Sequence, residues 1–68
     1  MNVEEIFKYH PPSEDQIPRY NAIRSGALEF AKILVANCPA SADQTAAIRK
    51  LREAVMTANA AIALEGVE

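Results

Sequence analysis

The sequence predicts an all-α chain: a short N-terminal helix, then a long antiparallel helical hairpin that joins other copies of itself in an oligomeric bundle. Three observations predict it. Helix-start signatures recur at Asn2-x-x-Glu5, Ser13-x-x-Gln16 and Ser41-x-x-Gln44, each a capping side chain followed three residues later by one that reciprocates. Two long runs carry apolar side chains at three-and-four spacing, the mark of one buried helical face. Finally, 68 residues with no stapling device are few for a domain that folds alone.

Asn2 and Glu5 cap one or two turns, from Val3 to about Lys8; Pro11 and Pro12 end that element and bias His10 towards extended backbone. The second helix is expected over residues 14–37, with Glu14 and Asp15 in its first turn, where the helix dipole favours acids. Pro18 removes one intrahelical bond near that start, so the first turn bends or the start slips towards Ile17. The apolar seam is Ile17, Tyr20, Ile23, Ala27, Phe30 and Leu34. Ile33 and Val35 lie off it and suggest a second contact surface.

Asn37-Cys38-Pro39-Ala40 is the turn, and the last helix is expected over residues 42–65 with Gly66 as its C-cap. Its seam of Ile48, Leu51, Val55, Ala58 and Ile62 keeps near-heptad spacing, which suits a shallow antiparallel crossing. The flank of Ala47, Ala54 and Ala61 is small enough for another helix to come close. Helices of this length span roughly 30–35 Å. A bare hairpin that long leaves too much apolar surface wet, so a bundle of hairpins is expected, built from a single domain over residues 1–68.

Composition narrows the function. The lone cysteine, Cys38, precludes an intramolecular disulfide, and one His with one Cys does not assemble a structural zinc site. Val3-Glu4-Glu5 puts acid where a secretion signal is basic, and the longest uncharged run, Ala54 to Leu64, is too short to span a bilayer. With a free thiol, these point to the cytoplasm and to no membrane partner. The net charge of −2 conceals an asymmetry: residues 16–52 hold six bases against two acids, or +4, and the rest holds one base against seven acids, or −6. A locally positive site on an acidic particle suits a small anionic ligand better than duplex nucleic acid.

No catalytic set is visible. The glycines are Gly26 and Gly66, so there is no Gly-rich phosphate loop, and metal-ligand spacings are absent. Cys38 lies in the turn, at the opposite end of the hairpin from the one histidine. The pairs Glu4-Glu5 and Glu14-Asp15 are explained by their helix N-termini. The expectation is a non-enzyme without a cofactor.

The segment Phe7-Lys8-Tyr9-His10-Pro11-Pro12 sets flat rings and a cation on backbone held out of helix. Two readings of Tyr9 stand side by side: a ring lying across the core with its hydroxyl wet, or a ring presented to stack on a nucleobase. Counting back from the turn, residue i of the second helix lies beside 79 − i of the third. That puts Arg24 level with Val55, within a turn of Arg52 and Thr57, with Asn59 a turn further. Guanidinium groups grip phosphate bidentately, while Thr and Asn reach base edges or ribose. The plain alternatives are a solvated face for Arg49, Lys50 and Arg52, and an inter-helix hydrogen bond for Asn59.

Phe7-x-Tyr9-His10-Pro11-Pro12, then Glu14-Asp15-Gln16-Ile17-Pro18-Arg19-Tyr20, then Arg49-x-x-Arg52-Glu53-Ala54-Val55-Met56-x-Ala58-Asn59 resemble the phage anti-CBASS sponge proteins across nearly the whole chain. The resemblance implies small helical chains assembled as a hexamer. They hold cyclic dinucleotide messengers of bacterial CBASS immunity between protomers, in some members cyclic trinucleotides at separate junctions, and do not cleave them. It gives Tyr9 the base-stacking role, with His10 and Pro11 beside it, and Arg24 the phosphate contact; Arg52, Thr57 and Asn59 are further lining residues. The rival expectation is an oligomeric protein–protein interaction module with no nucleotide ligand.

Overall fold

The computed structural model describes residues 1–67, and among them three helices and no strand: α1 (Val3–Ile6), α2 (Ile17–Asn37) and α3 (Ala42–Leu64). α2 and α3 pack against each other as an antiparallel hairpin, and α1 stands on an N-terminal arm. The molecule measures 42 × 25 × 15 Å, long and thin.

The caps explain most of the helix ends. Asn2 Oδ1 accepts from the Glu5 N–H and Ser41 Oγ from the Gln44 N–H, both at 3.1 Å, each satisfying an orphan donor of a first turn. The Gln44 amide does not reciprocate. It donates to the Cys38 carbonyl at 3.1 Å and ties the inter-helix turn to α3. α1 stops at Ile6, two residues short of the expected Lys8, because the Lys8 N–H turns to the Glu5 carbonyl, an i→i−3 contact of 3.4 Å that tightens the end of the turn.

α2 starts at Ile17 rather than at residue 14. The Ser13 carbonyl accepts from both the Gln16 and Ile17 N–H groups, at 3.1 and 3.2 Å, closing a separate turn. The regular helix then begins with Pro18 in its first turn, where a missing N–H costs nothing. Half of the expected capping box forms: the Ser13 N–H donates to Gln16 Oε1 at 3.0 Å, but Ser13 Oγ donates to Asp15 Oδ1 at 2.6 Å instead of capping. That hydroxyl, then Asp15's own backbone N–H, with the charge of Arg19 behind them, holds the Asp15 carboxyl below its ordinary range.

The open end of the hairpin is closed by a clasp. Gln16, 9% exposed, donates from Nε2 to the Ile62 carbonyl at 3.1 Å and to Glu65 Oε1 at 3.0 Å. Arg19 donates to the same Oε1 at 2.7 Å. α3 ends at Leu64, and Glu65 rather than Gly66 takes the first left-handed position, with φ 46°; Gly66 follows at φ 86°. A side chain in that region costs on the order of 1–2 kcal/mol. The two bonds to the Glu65 carboxylate offset that cost and explain why a non-glycine residue sits there.

The seam of α3 is as read: Ile48, Leu51, Val55 and Ala58 are half-buried, and Ile62 at 6% exposure is the buried hydrophobic residue among those described. On α2, Tyr20, Ile23, Ala27 and Leu34 are half-buried, but Ile17 and Phe30 are exposed and Ala31 belongs to the seam in their place. At about 100° per residue Phe30 falls some 60° to one side of Ala27, and Ile17 some 80° to the other. Each overhangs a flank. Two shallow apolar grooves result: about 340 Å³ on the side of Leu28, Arg52 and Met56, and about 290 Å³ on the side of Gly26, Phe30 and Ala54.

Two outcomes follow. Gln16→Ala removes a nearly buried amide that bridges three partners and should cost about 1–3 kcal/mol in urea unfolding; an unchanged midpoint contradicts the clasp. The Gln16 amide first, and Arg19 second, lower the Glu65 pKa, so its contribution is complete above the ordinary glutamate range and disappears as pH falls through the lowered folded value. A Glu65→Gln chain should therefore lose less melting temperature than the wild type on acidification.

Candidate ligand-binding site

The N-terminal arm is built to hold its rings away from the hairpin. α1 is a single capped turn, and His10 Nε2–H donates back to the Glu5 carbonyl at 2.8 Å, with Glu5 Oε1 3.8 Å away. A carbonyl only accepts, so this bond places a proton on Nε2. Pro11 and Pro12 carry the chain onward in non-helical backbone. The result is that Tyr9 is 81% exposed and Phe7 85% exposed, with Lys8 between them. Tyr9 is thus no plug of its own chain's core, and Phe7, the other ring of that segment, is presented beside it.

The second component is the flank that carries Leu28 and Met56. Arg52 lines the groove there, and Arg24 lies on the same face of α2, one turn before Leu28. Both arginines are exposed, and among the described residues neither has a carboxylate within 4.0 Å. Asn59 sits two turns beyond Arg52 on the same side of α3; its Oδ1 is buried and makes no hydrogen bond. The alternative of an inter-helix bond through that oxygen therefore fails within one chain, and a buried acceptor without a donor costs about 1–3 kcal/mol until one arrives.

Thr57 is not brought to this flank. Five residues after Arg52, it is turned about 140° around α3, where it is exposed and its Oγ1 donates to the Glu53 carbonyl at 2.9 Å. The cross-hairpin register does hold: Gln16 reaches Ile62, one position from the Ala63 that 79 − i pairs with it. Leu28 and Met56, both largely exposed, were missed as groove-lining residues, although Leu28 and Val35, seven apart and off the seam, were a signal.

This flank offers unpaired guanidinium groups, apolar walls and an unmet acceptor. Among the described residues no cluster of three or more His, Cys, Asp or Glu has metal-binding geometry, and no helix is long and apolar enough to cross a membrane.

The model of a protein family described as Acb2/Tad1, hairpin domain, matches residues 1–63. The chain belongs to the Acb2/Tad1 hairpin family. This is the anti-CBASS cyclic-oligonucleotide sponge family, and membership places the protein in anti-CBASS sequestration. No curated protein and no solved structure matches the chain. The matched span contains the arm, α2, α3 up to its last residue and the Gln16–Ile62 bond, so it covers all the site residues named above.

Because the Tyr9 ring touches little of its own hairpin, Tyr9→Ala should shift the unfolding free energy of the unliganded protein by no more than about 0.5 kcal/mol. A loss of several times that amount in a circular-dichroism melt would show that the ring supports the fold.

Proposed function

We propose that this Acb2/Tad1 hairpin protein captures cyclic dinucleotides in clefts between copies of the chain and holds them intact, a phage counter-defence acting in the host cytoplasm. The assembly is a hexamer, and cyclic trinucleotides are a second ligand class at separate junctions. Tyr9 stacks on a base, with His10 and Pro11 shaping its approach. Arg24 and Arg52 meet phosphate, and Asn59 Oδ1 accepts from a base amine or ribose hydroxyl. Thr57 faces away from this flank, so its role falls to a contact made by another copy.

The observation that carries the reading is family membership over residues 1–63, on a chain whose exposed ring and unpaired arginines lie on open surface. A cyclic dinucleotide presents two bases and two phosphates. A cleft shared by two chains supplies a ring and a cation to each half, and base stacking contributes about 1–3 kcal/mol per ring. Capture without turnover fits membership of a family of binding proteins.

The test is retention. The protein is mixed with cyclic di-AMP, cyclic di-GMP, the mixed GMP–AMP dinucleotide and a cyclic tri-AMP, freed of unbound ligand, then heated. Intact ligand in the supernatant is expected, and Tyr9→Ala should lose roughly tenfold or more in affinity, the equivalent of one lost stack. A linear product would make the protein an enzyme. Retention of none of the four by a folded oligomer would favour the interaction module, which the two apolar grooves would then serve.

A further inference from the structure

We infer that His10 serves ligand capture as a positioning residue: its imidazole clips the loop that carries Tyr9 and does not itself meet the ligand. Side-chain direction sets it apart from its neighbours. Phe7, Lys8 and Tyr9 are exposed, whereas the His10 side chain is 21% exposed and its Nε2–H donates to the Glu5 carbonyl at 2.8 Å. That donor is already committed to backbone of its own arm.

The bond falls where the arm is weakest. The last carbonyls of a helix lack intrahelical partners, and in α1, a single turn, Glu5 is next to last. Its carbonyl accepts from the Lys8 N–H at a long 3.4 Å, and the imidazole gives the same oxygen a short second donor. Residues 5–10 are thereby closed into a loop, half-buried at Glu5 and His10 and exposed from Phe7 to Tyr9. Pro11 restrains the far side, since a residue before proline is confined to extended backbone and His10 has few alternatives in φ and ψ. Tyr9 stands between two fixed points, the end of α1 and His10.

No other polar tie does this work. Among the described residues, no hydrogen bond or ion pair joins residues 1–12 to the hairpin. A free arm would give up its conformational freedom when a base arrives under the ring, and that loss subtracts from affinity. A clipped arm has given it up on folding. The consequence for capture deepens the proposed function and rests on it, whereas the clip itself does not.

Three variants of the full chain separate the bond from the ring. His10→Gln carries an amide nitrogen at the reach of Nε2, His10→Asn stops one bond short, and His10→Phe keeps a ring without a donor. In the unliganded protein the Tyr9 backbone N–H order parameter should stay near about 0.8 in wild type and His10→Gln, and fall below about 0.6 in the other two. Retention of cyclic dinucleotide should divide the same way: close to wild type for His10→Gln, roughly three- to tenfold weaker for His10→Asn and His10→Phe, the equivalent of one lost hydrogen bond. A His10→Gln chain as weak as His10→Phe puts the imidazole against the ligand and overturns the positioning role. Full retention by His10→Phe, or one order parameter shared by all the chains, overturns it too. Should the wild type retain no cyclic nucleotide, the sponge reading fails and the order parameters decide the clip alone.

Discussion

Two helices in contact along one seam cover only one face of each, and this chain shows what that leaves over. Leu28, Phe30, Ile33, Val35 and Met56 are each more than half exposed, while Ile62 is the buried hydrophobic residue among those described. Burying apolar area contributes about 25 cal/mol per Å², and a chain of this length with so thin a seam recovers little of it alone. In the proposed assembly, other copies cover the remaining surface. Every other feature depends on that shortage: the pair of grooves, the arm with its exposed rings, and arginines left without carboxylate partners.

The register of the hairpin is nevertheless set by bonds within one chain. Gln16 is central to it, since one amide accepts from Ser13 and donates across to Ile62 and Glu65. It fixes the register of α2 against α3 at the open end, as the Gln44–Cys38 bond does at the turn. With both ends held, residues on one flank stay on one flank, and Arg24, Arg52 and Asn59 keep a common side without touching one another. A binding surface made of separate helices needs that registration more than it needs contact between its members.

Much of this was legible in the residues. Caps at Asn2 and Ser41, the Pro39 turn and the α3 seam follow from local rules that tertiary contacts do not override. At the start of α2, residue 14 was the first expectation and Ile17 the alternative that Pro18 suggested; the alternative holds, because Ser13 spends its hydroxyl on Asp15 and its carbonyl on a separate turn. Glu65 in a left-handed position was hidden, because its cost is met by Gln16 and Arg19, almost fifty residues away in sequence. Thr57 was placed by its level along α3 alone; five residues of rotation put it on the far side. For the site, residue type pointed to Tyr9 and the arginines, whereas Leu28 and Met56 acquire meaning only once the grooves are seen.

On the proposed reading this design amounts to economy of chain: a hairpin too thin to bury itself uses the surface it leaves exposed as both adhesive and binding site. The most direct measurement is sedimentation velocity and far-UV circular dichroism on one dilution series. Helicity and mass should fall together as copies separate, because the hairpin draws its stability from its neighbours. A fully helical solitary chain at the lowest concentration would contradict the account.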